Sequence, residues 1–227
     1  LKGLTMTETA EIMGVNVSTV SKMAALKYVD TDYTMPVKDL GITDAEIADQ
    51  YKYTQDFVTD SKGVLKGLSW QGCPGVLIYN RDIAKEVLGT DDPAEVQKSV
   101  SDWDTFAKTA ETMKDKGYFM VSGFDDTFRV FSNNVSSPWV VDGKVVIDDN
   151  IMNWVTQTKE FTDNGYNNQS SLWDDNWKKG FYPEGKVFCY FGPAWFVDFS
   201  MNVDDAASIA ANGGWAATEG PQGFFWG

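Results

Sequence analysis

The stretch from Lys186 to Ser200 constrains the fold more than any other part of the chain. Val187 to Phe191 is a short and wholly apolar run, which is typical of a strand buried on both faces of a sheet. Gly192-Pro193 ends the run, and proline suits the first position of a helix. We therefore predict a helix from Ala194 to Ser200, directly after the strand.

This arrangement places Trp195 at the carboxyl end of a buried strand. In open α/β sheets, ligands bind at that edge. Trp195 is therefore a candidate ligand contact. A ring in this position can equally be a plain core aromatic, and the stretch alone leaves both interpretations open.

Strands alternate with helices along the rest of the chain, which favours an α/β fold. Alternating residues around an Asp-Gly turn also predict a hairpin over residues 139–147. Strands are expected at residues 66–71, 76–80, 118–122, 187–191 and 214–218, and helices at 44–50, 82–88, 101–116, 150–162, 171–179 and 194–200.

Composition removes several classes of chemistry. The chain has no histidine, which excludes Ser-His and Cys-His nucleophile pairs and the common zinc sites. The two cysteines, Cys73 and Cys189, are far apart, so we expect no metal and no cofactor. Its net charge of −14 disfavours phosphate backbones and anionic membranes, and no apolar run approaches the length of a membrane span.

The first segment, from Thr5 to Lys22, carries Thr5, Glu8, Ala10, Gly14-Val15 and Thr19-Val20-Ser21-Lys22. In this register these residues resemble the helix-turn-helix of bacterial repressors. In that family the second helix enters the major groove. The alternative interpretation is a small helical hairpin packed on the rest of the chain. By this resemblance, the DNA contacts would be Asn16, Val17, Ser18, Thr19, Ser21 and Lys22.

A second resemblance covers most of the chain, from about Leu26 to Gly227. Its motifs are Ser69-Trp-Gln…Pro-Gly…Ile78-Tyr-Asn-Arg-Asp, Asp102-Trp-Asp-Thr-Phe, Gly185-Lys-Val-Phe-Cys-Tyr-Phe-Gly-Pro-Ala-Trp195 and Gly223-Phe-Phe-Trp-Gly. In this order and spacing they resemble the extracellular solute-binding proteins of carbohydrate ABC transporters, the relatives of maltose-binding protein. That family has a periplasmic-binding-protein-like fold of two α/β lobes, which close on a sugar held between aromatic rings.

The resemblance implies a set of sugar contacts. Trp70 and Gln71 would lie on the first segment that crosses between the lobes, and Phe225 and Trp226 would begin the second. Trp195 matches the stacking aromatic of the family. The turn that matches a sugar-contacting loop supplies Asp125, Asp126, Phe128 and Arg129.

For two of these residues and for four other tryptophans, a structural role is the competing interpretation. Asp125 and Asp126 are equally suited to cap a helix N-terminus. Four tryptophans outside the matched motifs are expected to be packing or surface aromatics: Trp139, Trp154, Trp173 and Trp177.

The resemblance also implies a domain organisation. Residues 1–25 would form the helix-turn-helix-like segment, 26–72 a remnant of the N-terminal lobe with the first crossing strand, and 73–227 a nearly complete C-terminal lobe. The chain is expected to be truncated relative to the family, as a fragment, a fusion or a misassembled gene.

The sequence therefore predicts a non-enzymatic protein that binds an oligosaccharide for uptake by an ABC transporter permease. It would be extracytoplasmic, periplasmic or anchored at the surface, although the chain shows no signal peptide. The alternative hypothesis is a sugar-responsive DNA-binding regulator, and a third is a lobe with only a scaffolding role. No pair of carboxylates marks a glycosidase.

We predict no sequence-specific binding of duplex DNA by this chain. The first segment carries only Lys2 and Lys22 as basic residues, and phosphate contacts dominate affinity for DNA. A gel-shift titration at moderate salt checks this. A sequence-specific band that disappears in Lys22→Glu would contradict it and favour the regulator.

Overall fold

The structure is a computed structural model that describes residues 28–69, 72–201, 205–223 and 225–226. The chain divides into two units, the first ending at Gly72 and the second beginning at Cys73. The strands are β1 (Pro74–Asn80), β2 (Phe119–Gly123), β3 (Val140–Val141), β4 (Lys144–Val145), β5 (Asn167–Ser170), β6 (Val187–Pro193), β7 (Trp215–Thr218) and β8 (Phe225–Trp226). The α-helices are α1 (Lys52–Phe57), α2 (Arg81–Leu88), α3 (Pro93–Lys98), α4 (Trp103–Asp115), α5 (Phe128–Ser132), α6 (Asp149–Asp163), α7 (Asp175–Lys178) and α8 (Ala194–Phe196).

A mixed sheet forms the centre of the second unit, in the order β5-β2-β6-β1-β7, with β8 also paired to β1. The predicted buried strand β6 lies in the middle of this order. It runs parallel to β2, which is itself parallel to β5. Both β6 and β7 pair antiparallel with β1. The α/β class predicted from the sequence is confirmed.

Hydrophobic side chains cover both faces of this sheet, as the apolar runs of β1 and β6 require. On one face, Leu77 and Tyr79 pack with residues of α2, α3, α4 and α6. On the other, Ile78 and Tyr190 pack with Trp177, Phe196 and their neighbours. The alternation along β1 therefore separates two cores.

Side-chain caps fix where the helices of the second unit begin. The carboxylate of Asp92 accepts the N–H groups of residues 94 and 95 ahead of α3, and Asp102 accepts the N–H of Thr105 in α4. Asp148 caps α6 in the same way. At the other end of α2, Gly89 adopts a left-handed conformation with φ of 79°, which ends the helix as predicted.

The described part of the first unit contains little regular structure. Beyond α1 it has a 3₁₀ turn at Val37–Leu40 and an isolated bridge between Thr59 and Leu65. Thr43 forms a capping interaction with Glu46, but turns follow rather than the expected helix over 44–50. The predicted strand over 66–71 is also wrong for 66–69, which have no strand pairing.

Three segments of the second unit differ from the predictions. The polar strand β5 was missed because Asn167 and its neighbours lack an apolar pattern. Of the helix expected over 171–179, only α7 forms, and a 3₁₀ turn at Lys179–Phe181 follows it. Pro193 is the last residue of β6 rather than the first of a helix, and the helical segment splits into α8 and a π turn at Val197–Met201.

The predicted hairpin is confirmed. Strands β3 and β4 pair antiparallel, with Asp142 and Gly143 both at positive φ in the turn, at 49° and 73°. Such angles match the twist of a two-residue hairpin. Its side chains are largely exposed, including Trp139, Val145 and Ile147.

The helix-turn-helix-like segment, with its six candidate DNA contacts, lies outside the described residues. No observation in the described residues favours the regulator hypothesis. Within the described ranges, no helix combines the length and the apolar character needed to cross a lipid bilayer.

We predict that Phe106→Ala lowers the free energy of unfolding by about 3–5 kcal/mol, as for other fully buried large aromatics. Phe106 is 0% exposed and packs its ring on Phe161 and Trp103. Urea denaturation measures the change. The matched control is Phe199→Ala, because Phe199 is 79% exposed; its effect should stay within about 0.5 kcal/mol. Equal losses in the two variants would contradict this core.

Candidate functional site

One edge of the sheet collects most of the residues that the resemblance singles out. Because β2, β5 and β6 run in the same direction, their carboxyl ends meet at one edge. β1 begins at that same edge, where Gly75 pairs with Pro193. The backbone of Phe225 and Trp226 in β8 pairs with the first two residues of β1. Of the predicted contacts, Trp70 and Gln71 lie outside the described residues.

Asp126 belongs to the turn that follows β2 and is only 7% exposed. Its Oδ2 accepts the backbone N–H groups of Ser122 and Gly123, at 2.9 and 2.8 Å. Its Oδ1 accepts the indole N–H of Trp177 at 2.5 Å. Asp126 therefore binds its own chain with both oxygens, and the structure presents it as a support for the turn.

Burial raises the pKa of Asp126 from 3.8 to about 7. The N–H of Gly123 and the indole of Trp177 act in the opposite direction, and the neighbouring Asp125 adds a further rise. The cost of removing a carboxylate from water therefore exceeds the gain from its hydrogen bonds.

Asp125 is half-buried and fixes the loop that follows β5. Its Oδ1 accepts the backbone N–H of Leu172 at 2.9 Å, and its Oδ2 accepts the hydroxyl of Ser171 at 3.4 Å. The carboxylate thus joins the turn after β2 to the turn after β5. Neither Asp125 nor Asp126 caps α5, whose N-cap residue is Thr127 without a side-chain bond, so the capping interpretation is wrong.

Phe128 and Arg129 begin α5. The Phe128 ring meets Trp154 edge to face at a centroid distance of 4.9 Å. The guanidinium carbon of Arg129 lies 5.9 Å from the Phe128 ring centroid, and the Arg129 side chain is exposed. Among the four predicted contacts of this segment, Arg129 is the exposed one.

Trp195 is half-buried at the carboxyl end of β6, so it is not the enclosed core aromatic of the competing interpretation. Its ring packs on Phe196 and lies nearly parallel to that of Trp173. The two indole centroids are 6.4 Å apart and their planes differ by 15°. Trp173 is 44% exposed.

The sequence predicts that Trp173 and Trp177 are both packing or surface aromatics, and the structure separates the two. Trp177 is a core residue, with 1% of its surface exposed. Trp173 lies at the sheet edge beside Trp195. The available signal was the position of Ser171-Leu172-Trp173 directly after a strand, but β5 itself was not predicted.

A groove of about 610 Å³ lies elsewhere in the second unit, between α4 and α6. Trp103, Phe131, Phe161 and Tyr166 supply its aromatic lining. None of the predicted site residues lines it. Within the part of the chain that the structure describes, no group of three or more acidic or cysteine side chains is arranged to hold a metal ion.

The architecture matches known proteins. An extracellular solute-binding protein of family 1 superposes with a TM-score of 0.65 at 18% identity, over 90% of this chain. The chain has the fold of the extracellular solute-binding proteins. An ABC-transporter-associated binding protein of B. animalis subsp. lactis, in complex with β-1,6-galactobiose, gives 0.64 at 16% identity over 99% of the chain. A maltose-bound protein of T. maritima gives 0.61 at 13% identity over 97%.

The solute-binding fold is covered only in part. The chain spans 52%, 58% and 61% of the lengths of these three structures. This partial coverage agrees with the expectation of one nearly complete lobe and a remnant of the other. No protein-family model matches the sequence, and no curated protein is similar to it at the sequence level.

We predict that the stability contributed by Asp126 falls as the pH rises through about 7. The pKa of Asp126 is higher in the folded chain than in the unfolded one, so the neutral acid is the form that folding favours. Its contribution is complete below the unfolded pKa and is lost as the pH rises through the folded pKa. One pKa unit corresponds to about 1.4 kcal/mol, so the fall is on the order of a few kcal/mol.

The measurement is urea unfolding of the wild type and of Asp126→Asn between pH 5 and 8.5. The asparagine does not titrate, so the difference between the two curves isolates Asp126 from the other carboxylates. The wild type should lose stability relative to the variant as the pH rises. A difference that stays constant across this range would contradict the prediction.

Proposed function

We propose that this chain binds an oligosaccharide without catalysis, as part of a solute-binding protein that serves an ABC transporter permease outside the cytoplasm. The observation that carries the proposal is the pair of parallel, partly exposed indoles at the carboxyl edge of the sheet. Sugars present apolar C–H faces that stack on aromatic rings, and exposed indoles at a ligand edge offer such faces.

Exposed polar groups on the segments that follow β2 and β6 suit the hydroxyls of a sugar. Arg129 presents an exposed guanidinium with several donors in a planar fork. Asp198 is exposed three residues after Trp195. A small number of placed polar groups beside an apolar surface is typical of sites for neutral polar ligands.

The similar structures support the same class of ligand. Their names record complexes with β-1,6-galactobiose, α-D-tagatose, maltose and lacto-N-biose. All of these ligands are sugars, and all four proteins share this fold. The identity is low, so the ligand class for this chain rests on the ring pair and on this likeness together.

A hydrolytic role is less well supported. A carboxylic acid with a raised pKa is a common feature of catalytic sites, and Asp126 has such a pKa. However, Asp126 is buried and accepts three N–H donors of its own chain, and Asp125 accepts two donors. A glycosidase needs an acid and a second carboxylate that reach the scissile bond. The arrangement favours binding over turnover.

We predict weak binding of oligosaccharides by this chain, with a Kd of about 1 mM, which corresponds to about −4 kcal/mol. Trp173 is 44% exposed and Trp195 is half-buried, whereas tight sites enclose most of the ligand surface. Calorimetry with a panel of α- and β-linked oligosaccharides measures the constant. A micromolar Kd for any of them would contradict the prediction.

Within the same experiment, Trp195→Ala should abolish the heat of binding. Its stability loss should remain well below the 3–5 kcal/mol of a buried large aromatic, because the ring is half-buried. Trp139→Ala is the matched control, since Trp139 is a 55% exposed tryptophan ahead of the hairpin. Equal effects of the two variants on binding would exclude Trp195 as the stacking ring.

A further inference from the structure

Trp173 occupies a backbone conformation that tryptophan rarely adopts. Its φ is 73°, in the left-handed region that favours glycine. For a bulky residue this conformation costs on the order of 1–2 kcal/mol, and such outliers cluster at functional sites. The residue must therefore be held by its surroundings.

Hydrogen bonds of the neighbouring residues fix the loop that carries Trp173. The N–H of Leu172 donates to Asp125 Oδ1 at 2.9 Å. On the other side, Asp174 accepts the N–H of Ser171 at 2.9 Å, and its own N–H donates to the Ser171 carbonyl at 3.2 Å. The strained residue is thus bracketed by bonds on both sides.

The ring itself is only partly used for packing. One part rests on buried aromatics, with centroid distances of 5.1 Å to Trp177 and 5.9 Å to Phe196. Even so, 44% of the surface of Trp173 remains exposed. By comparison, Trp177, which packs in the core, is only 1% exposed. Packing alone therefore does not account for a strained backbone that leaves a large apolar ring partly in water.

The position of Trp195 supplies a further reason. The two rings are parallel within 15° and their centroids are 6.4 Å apart, as in offset stacking. Parallel rings at this distance cover each other only in part. Trp173 is 44% exposed and Trp195 is half-buried, so both rings leave apolar surface accessible next to each other.

We propose that Trp173 and Trp195 form a platform for two consecutive sugar rings, so that the site selects disaccharides and longer chains over monosaccharides. Trp195 takes one ring and Trp173 takes the next. Asp125 acts as a positioning residue, because it fixes the loop that carries Trp173. This inference rests on the proposed function, since it names the ligand class of the same site.

The test is a titration of the chain followed by the indole N–H resonances of its tryptophans, which suits dissociation constants near 1 mM. The probes are two pairs of sugars, each titrated separately: galactose is compared with β-1,6-galactobiose, and glucose is compared with maltose. The proteins are the wild type, Trp173→Ala, Trp173→Phe and the control Trp139→Ala, which lies outside this ring cluster. Trp173→Phe keeps a ring and, by losing one indole signal, assigns the Trp173 resonance.

In the wild type, at least one disaccharide should bind about 5- to 10-fold more tightly than its monosaccharide and shift the Trp173 indole. In Trp173→Ala, the ratio of the monosaccharide Kd to the disaccharide Kd should fall close to one, while the affinity for the monosaccharide changes less than about 2-fold. Trp173→Phe should keep most of the ratio, and Trp139→Ala all of it.

Two results overturn the inference in distinguishable ways. Sugar binding with an unchanged ratio in Trp173→Ala would exclude the platform and leave the proposed function intact. No shift of any indole with any of the four sugars would overturn the proposed function, and the platform with it. If Trp173→Ala loses affinity because it unfolds, its NMR spectrum loses the dispersion of a folded protein. In that case the ratio of monosaccharide to disaccharide dissociation constants in Trp173→Phe tests the inference instead.

Discussion

The hydrogen bond between Asp126 and the indole of Trp177 holds the candidate site together. The same carboxylate binds the end of β2 through two backbone N–H groups, and the Trp177 carbonyl accepts the hydroxyls of Ser122 and Tyr190. A buried carboxylate is costly unless its acceptors are filled. Here they are filled by groups from separate segments, which brings the loops after β2 and β5 together.

The apolar and capping signals of the sequence predicted much of the second unit. The run at Val187 forms the central strand, and Gly89 ends α2 as expected. Prediction failed where regular structure depends on tertiary pairing. β5 is a polar strand stabilised by its partner β2. The segment over 44–50 has the expected cap at Thr43 but forms turns, because a cap alone does not stabilise so short a helix.

The candidate site was predictable in its location but less so in its parts. The apolar run at Val187 and the Gly-Pro turn after it predict that Trp195 lies at the carboxyl end of a buried strand, and the structure has it at the end of β6. However, the sequence treated Asp125 and Asp126 as equivalents, whereas the structure buries Asp126 and leaves Asp125 bridging two turns. The importance of Trp173 depends on a backbone angle and a ring orientation. Neither quantity is encoded in local sequence pattern.

The exposed hairpin β3-β4 has a consequence for how this molecule behaves in concentrated solution. Open strand edges with apolar side chains such as Val141 and Val145 are templates for pairing with another chain. At neutral pH the charge of −14 keeps copies apart. Near the isoelectric point of about 4.3 that repulsion disappears. Colloidal stability is therefore electrostatic, and acid or high salt removes the barrier to self-association.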